Sequence, residues 1–297
     1  MQGSDRGIAV RDRFGFLPFA SNIEFKGGSI SPVSNYDAIR ASVEEHTYDD
    51  GFLYPDFTRR VSELDEKTEK KWPPSLTYPI SASHELSLSS GGILEELRRG
   101  PSGFVIQLLA YLFGVRLQFH DWWVDGRMPI RSTHSIHITK TVAEDFLSYC
   151  YQIWPKWPAR NQKLISNLLF MHSRAPSYEW DWERFMIEYM IFDGCWNLSG
   201  LDRKSGHGAC IKTLCDKWDI PADVALIDRI VDLRNDLFHE SIWDKSQPCT
   251  GVSGEAFLQA YNLRRLNQRL IPALRGYNNS YVRTSWWVLG TCLFEKP

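Results

Sequence analysis

Apolar side chains recur every three to four residues along most of the chain from residue 141 onward. The segments 141–154 (TVAEDFLSYCYQIW), 159–173 and 178–198 follow this pattern, and 208–218, 221–243 and 253–277 repeat it. Such spacing is typical of amphipathic helices that turn one face toward a core. Short loops separate the segments, and several helices joined in this way predict an antiparallel helical bundle.

The chain before residue 140 has shorter apolar runs, broken by proline, glycine and serine. FGFLPFASNIEF (14–25) and LTYPISASHELSLSS (76–90) alternate apolar and polar positions, which indicates strands. In the second run, Ile80, Ala82, His84, Leu86 and Leu88 fall on one face of a strand. The sequence therefore predicts an α+β protein: a mixed strand and helix domain of unknown role at 1–140, followed by an all-helical domain at 141–297.

Composition provides a core but no general affinity for nucleic acid. With 43% hydrophobic residues, 12 Trp, 12 Tyr and 16 Phe, the 297-residue chain has ample material to bury. Its formal net charge is −2, so no overall basicity favours nucleic acid. Binding to nucleic acid would have to come from a local patch of charge.

Cysteine spacing and hydropathy favour a soluble cytoplasmic protein. The six cysteines form no C-x-x-C pair and no metal-like spacing, so we expect reduced thiols, no metal and no cofactor. The first ten residues, MQGSDRGIAV, lack the apolar core of a secretory signal. The most apolar run, 104–115, is interrupted by Gln107 and is too short to cross a bilayer, so no membrane association is expected.

The stretch DLRNDLFHES at 232–241 places polar groups within a helix that is apolar on most sides. A helix of that kind is usually central to its bundle. Asn235 and His239 are four residues apart and share a face. Arg234 lies about 100° away from Asn235, and its long side chain can swing to the same face. The sequence thus predicts that a guanidinium, an amide and an imidazole converge.

These three groups suit one reaction in particular. Arginine binds phosphate through two donors and stays charged, and histidine exchanges protons near neutral pH. Asparagine can orient the imidazole or bind a phosphate or ribose oxygen. Together they fit metal-free cleavage of RNA, in which the ribose 2′-OH attacks the adjacent phosphorus and the arginine stabilises the developing charge. DNA lacks the 2′-OH, which makes RNA the expected substrate.

RNDLFH at 234–239 resembles the arginine–asparagine–x–x–x–histidine signature of HEPN domains, and the helical layout of residues 141–285 is similar to theirs. A weaker likeness is to ApeA-type abortive-infection proteins. The resemblance implies an all-α HEPN-like bundle acting as a metal-independent endoribonuclease, with Arg234 and His239 essential and Asn235 supporting. It also implies a homodimer, a role in anti-phage defence or stress response, and a phage-derived or operon-encoded activator.

Two further groups of residues are candidates for supporting roles. Between 253 and 285 lie five arginines, no lysine and one acid; Arg264, Arg265 and Arg269 among them could form a phosphate-binding surface or simply a solvated helix face. Asp193, in the apolar stretch EYMIFDGCWN, is expected to be buried and to orient His239 or pair with Arg234. Glu188 is a second candidate for that role, and the alternative for both acids is a structural contact.

Other interpretations of the motif remain. The same helix could belong to a HEPN-like module that dimerises or binds a nucleotide or other ligand without catalysis. A metal hydrolase built from scattered His and Asp is a third reading, although its ligand spacing is not recognisable. Structurally, Arg234 could pair with Asp228, Asp232 or Asp236, and His239 could be favoured by the helix dipole near a C-terminus.

Overall fold

The computed structural model describes residues 10–48, 50–54, 77–89, 98–202, 206–245 and 254–297. The chain divides into two compact units, Met1–His134 and Ser135–Pro297. The mixed α and β content predicted from the sequence is confirmed, with a small antiparallel sheet in the first unit and mainly helices in the second. The division precedes residue 140 because the strand Ile136–Ile138 pairs with Cys292–Phe294 in the second unit.

The first unit is organised around a five-stranded antiparallel sheet. Its strands, in spatial order, are β2 (Ile23–Phe25), β3 (Gly28–Pro32), β6 (His84–Leu88), β1 (Val10–Gly15) and β7 (Gln118–Phe119). Two short pairs accompany it: β4 (Phe52–Leu53) with β9 (Met128–Pro129), and β5 (Thr77–Pro79) with β8 (Trp123–Asp125). Within the described residues, the α-helices of this unit are α1 (Tyr36–Glu45) and α2 (Pro101–Phe113).

Alternation along β6 agrees with the pattern in the sequence. His84, Leu86 and Leu88 are buried, whereas Glu85 and Ser87 between them are half-buried. Side chains of a strand point alternately to its two faces, so one face of β6 is fully enclosed and the other is not. The predicted strand face is confirmed for His84, Leu86 and Leu88, whereas Ile80 and Ala82 precede the strand and Ala82 is only half-buried.

A histidine is enclosed by this packing. His84 is fully buried among the rings of Phe14, Phe19 and Tyr36, with centroids 5.4 to 6.0 Å away. Its Nδ1 shares a hydrogen bond of 2.9 Å with Oγ of Ser83. Burial lowers the pKa of His84 to about 4, because the apolar surroundings disfavour the charged imidazolium.

We therefore expect the first unit to lose stability in mild acid. The contribution of neutral His84 is fully present above about pH 6.5 and is lost as the pH falls toward 4, because the unfolded chain takes up the proton first. The loss approaches about 3 kcal/mol. Hydrogen exchange of the β6 amides, measured against pH, should show this slope in the wild type and not in His84→Leu. The exposed His120→Gln should retain it, and parallel curves for wild type and His84→Leu would contradict the prediction.

The second unit contains six α-helices within the described residues, and each corresponds to a periodic segment of the sequence. They are α3 (Lys140–Ile153), α4 (Ala159–Arg174), α5 (Asp181–Ser199), α6 (His207–Lys217), α7 (Val224–Asn235) and α8 (Gly254–Leu274). The tail returns to the unit as β11 (Cys292–Phe294), which runs parallel to β10 (Ile136–Ile138). Periodicity therefore predicted the ends of these helices to within about three residues, except that α7 ends as an α-helix at Asn235 and not near Trp243.

The most enclosed helix is α8 and not the motif helix α7. Helix α8 packs chiefly on α5 and also contacts α7, and almost all of its side chains from Asn262 to Ala273 are buried. In α7 only Ile227, Ile230 and Leu233 are buried, and Val224 at its start is 54% exposed. The expectation that the motif helix is central is therefore wrong. Phe238, within the motif, is also exposed, so the motif lies near the surface.

The described helices and thiols bear on membrane insertion, disulfides and metal binding. Within the described ranges, every helix is too short or too polar to span a lipid bilayer. Five cysteines lie in these ranges and all are free thiols, four of them buried and Cys292 half-buried. No three His, Cys, Asp or Glu side chains of the described residues cluster in a way that would hold a metal ion.

Candidate functional site

The motif lies where α7 changes its helical form. The helix ends at Asn235 and continues as a π-helical turn, Asp236–Glu240, closed by the N–H of Ser241 donating to the carbonyl of Asp236 five residues earlier. In an α-helix, residues five apart point about 140° away from each other. A turn with i→i+5 hydrogen bonds brings residues five apart, such as Arg234 and His239, much closer to the same face of the helix. Turns of this kind are frequent at functional sites.

The three motif side chains meet across this turn. Nη1 of Arg234 lies 2.8 Å from Nε2 of His239 and 3.0 Å from Oδ1 of Asn235. Because a guanidinium can only donate hydrogen bonds, Nε2 of His239 is the acceptor. The imidazole therefore rests in a form that can take up a proton at Nε2.

Aromatic rings hold the guanidinium in place. Cζ of Arg234 is 5.2 Å from the ring centre of Phe238 and 5.8 Å from that of Tyr189 on α5, both within cation–π range. Nε of Arg234 is buried and has no hydrogen-bond partner among the described residues. His239 is exposed, and Arg234 and Asn235 are half-buried. A ligand can therefore reach all three.

The ion-pair interpretation of Arg234 receives no support from the described contacts. Asp228 forms an ion pair with Lys212, at 3.8 Å. The hydrogen bonds of Arg234 within the described ranges go to an amide and an imidazole. Arg234 thus keeps its positive charge uncompensated by a bound carboxylate in the part of the chain described.

Tyr189 and His207, which the sequence did not single out, link the motif to a cavity. Oη of Tyr189 and Nδ1 of His207 share a hydrogen bond of 2.8 Å, and His207 lies at the first position of α6. Burial raises the pKa of Tyr189 above its ordinary value, so its hydroxyl stays protonated. The one sequence signal for Tyr189 is its position four residues before Asp193, which places both on one face of α5.

Asp193 is exposed and lines that cavity, contrary to the expectation that it is buried. The hydrogen bonds of Arg234 and His239 within the described residues do not include it. Its charge nevertheless acts on Tyr189, as does that of Arg234 with the opposite sign. The expectation fails because Asp193 lies on the side of α5 that faces the cavity beside α6, whereas most other sides of α5 are apolar.

Glu188 is enclosed in a different cluster from the motif. Only 1% exposed, it accepts hydrogen bonds of 2.8 Å from Nη1 of Arg264 and from Nδ2 of Asn267, and Nδ1 of His172 lies 3.4 Å from Oε2. Burial alone would raise the pKa of Glu188, but the charge of Arg264 and the hydrogen bonds from His172 and Asn267 outweigh it and hold that pKa below its ordinary value. Burial lowers the pKa of His172, so its imidazole acts here as a neutral partner. Glu188 thus binds α4 and α8 to α5, and its described partners do not include Arg234 or His239.

The arginines of α8 do not form an exposed surface. Arg264, Arg265 and Arg269 are 7%, 3% and 0% exposed. Arg269 donates to the carbonyls of Arg265 and Ser285 and to the carbonyl and hydroxyl of Thr284, at 2.7 to 3.0 Å. Neither a phosphate-binding face nor a solvated face is compatible with this burial, so both sequence-based interpretations are wrong. The guanidinium groups act as internal hydrogen-bond donors.

Comparisons with known proteins provide no relative for this chain. No protein-family model, no curated protein and no solved structure matches it. The likeness of residues 234–239 to the HEPN signature therefore stands on those residues alone. The function of the site must be inferred from the chemistry and geometry of its side chains.

Proposed function

We propose that the chain is a metal-independent endoribonuclease of the HEPN type that acts in the cytoplasm, with Arg234, Asn235 and His239 as its catalytic residues. The observation that supports this most directly is the distance of 2.8 Å between an accessible imidazole and a guanidinium, held together across a π-helical turn. This reaction needs a group that accepts a proton and a cation that binds the phosphoryl oxygens. His239 and Arg234 are suited to these two roles.

In the proposed reaction, Nε2 of His239 takes the proton of a ribose 2′-OH. The 2′ oxygen forms a bond to the adjacent phosphorus, and the bond from phosphorus to the 5′ oxygen of the next nucleotide breaks. Arg234 turns from His239 to the non-bridging oxygens, where negative charge accumulates. The departing 5′ oxygen takes a proton, so the products carry a 2′,3′-cyclic phosphate and a 5′-hydroxyl.

A homodimer would supply the second proton-transfer group. One imidazole cannot take a proton and donate another in the same step, and a second copy of the motif would provide the acid. The apolar ring of Phe238, on the π-helical turn between Arg234 and His239, is 43% exposed and is suited to such an interface. Anti-phage defence or stress response, with a phage-derived or operon-encoded activator, is the setting that the motif suggests.

A second candidate function is favoured by the cavity beside α5 and α6. In this alternative, the unit is a HEPN-like module that dimerises or binds a nucleotide or other small ligand without cutting RNA. The supporting observation is a cavity of about 390 Å³ lined by carboxylate, amide and imidazole groups, which lies in the usual size range of small-molecule sites.

Incubating the purified protein with mixed RNAs in EDTA separates these functions. We expect cleavage that EDTA does not reduce, with 2′,3′-cyclic phosphate ends, together with growth arrest when the protein is overproduced. RNA left intact, combined with unimpaired growth, would favour the binding module. Loss of cleavage in EDTA would instead indicate a metal hydrolase. The growth measurement covers the case in which the purified protein lacks its activator.

A further inference from the structure

The small cavity between α5 and α6 is lined by both polar and apolar side chains. Asp193, Asn197 and His207 contribute charge and hydrogen-bonding groups, whereas Trp196 and Cys210 are more than 90% buried and contribute apolar surface. Ligand sites commonly range from about 300 to 1,000 Å³. At about 390 Å³, the cavity lies at the lower end and has room for one nucleotide.

The cavity and the motif lie on either side of Tyr189. Its ring centre is 5.8 Å from Cζ of Arg234, and its hydroxyl is bonded to His207, which lines the cavity. Asp193 lies one helical turn beyond Tyr189 on α5, and residues so spaced are about 5 to 6 Å apart at Cβ. The Tyr189 side chain therefore separates Arg234 from the cavity, and a single nucleotide would reach across it with its phosphate at the motif and its base in the cavity.

Charge fixes which end of a nucleotide enters the cavity. The carboxylate of Asp193 repels phosphate and attracts N–H donors, whereas the guanidinium of Arg234 does the reverse. A phosphate therefore belongs beside the motif and a base belongs beside Asp193. Single-stranded RNA is commonly recognised in this way, through the Watson–Crick edges of unstacked bases.

We propose that this cavity binds the base of the nucleotide on the 5′ side of the cleaved phosphate and selects guanine. Guanine alone among the four RNA bases presents two adjacent donors, N1–H and the 2-amino group, that can pair with both oxygens of one carboxylate. Asp193 is the selecting residue, and the Asn197 amide and the His207 imidazole are placed to meet the remaining edge of the base. The inference rests on the proposed nuclease function for its choice of RNA, but binding can be tested without turnover.

Calorimetric titration of the full chain with the four nucleoside 3′-monophosphates tests this inference. We expect guanosine 3′-monophosphate to bind most tightly, and Asp193→Asn to weaken its binding roughly tenfold to a hundredfold, as removal of a charged hydrogen-bond partner does. Asp193 is exposed, so this variant should fold normally. The matched control Asp216→Asn, an exposed acid of α6 outside the cavity, should bind like the wild type.

Equal affinity for the four nucleotides, or binding unaffected by Asp193→Asn, would overturn the inference. Its failure is distinguishable from that of the nuclease. Guanine-selective binding that depends on Asp193, without any RNA cleavage, would support the site and contradict the nuclease. Cleavage after all four bases at equal rates, unchanged in Asp193→Asn, would support the nuclease and reject the guanine site.

Discussion

Replacing His239 by alanine is expected to lower the rate of RNA cleavage by about 10²- to 10⁴-fold, the usual contribution of a general acid or base. The substitution removes the imidazole whose Nε2 lies 2.8 Å from Nη1 of Arg234 and which is the proposed proton acceptor for a 2′-OH. The side chain is exposed at the end of a π-helical turn, so the free energy of unfolding should change by no more than about 0.5 kcal/mol.

The loss should fall on kcat, measured at saturating RNA, with little change in KM, because the variant keeps Arg234, the proposed phosphate contact. His137→Ala is the matched control: it removes another exposed histidine of the same unit, on β10, and should cleave RNA at the wild-type rate. Wild-type cleavage by His239→Ala would reject the proposed mechanism. A large loss of stability in that variant would mean that the imidazole holds the turn together.

The sequence predicted the convergence of the motif side chains but not how it is achieved. The reach of the Arg234 side chain was expected to suffice. In the structure, the π-helical turn Asp236–Glu240 contributes as well, by rotating His239 toward Arg234. Hydrophobic periodicity could not reveal this turn, because the buried residues Leu233 and Leu237 on either side of Arg234 are four apart, the spacing of an ordinary α-helix.

The interior of the second unit was the hardest part to predict. Periodic segments identified its helices, yet the arginine-rich face of α8 suggested exposure, and its burial depends on partners remote in sequence. Arg269 is satisfied by Thr284 and Ser285 and lies 4.7 Å from the ring of Tyr281. Pattern analysis cannot match donors to acceptors across such distances. The same limitation concealed the partners of Glu188.

The cluster around Glu188 joins three helices through a buried charge. Arg264 donates to Glu188 from α8 and also to the carbonyl of His172 on α4, at 2.6 Å, while Asn267 donates to both the carboxylate and the carbonyl of Glu188. A buried ion pair contributes little compared with an apolar replacement, but removal of one partner leaves the other charge uncompensated. The arrangement is therefore sensitive to single substitutions.

We expect Glu188→Gln to lower the free energy of unfolding by about 3 to 5 kcal/mol, because Arg264 is left buried without its anion and the new amide opposes the donor of Asn267. Urea denaturation near pH 7 is the appropriate measurement. The folded pKa of Glu188 is below its ordinary value of 4.5, so the contribution of the carboxylate is present above about that pH and is lost only in stronger acid.

The exposed Glu179→Gln, in the loop before α5, provides the matched control and should change stability by less than about 0.5 kcal/mol. The double variant Glu188→Leu with Arg264→Met removes both charges and should recover much of the loss, because neither member of the pair is left buried without the other. If Glu188→Gln and the double variant were equally unstable, the stability of this cluster would depend on its shape and packing and not on its charge. Equal stability of Glu188→Gln and the wild type would show that Glu188 is not required to neutralise Arg264.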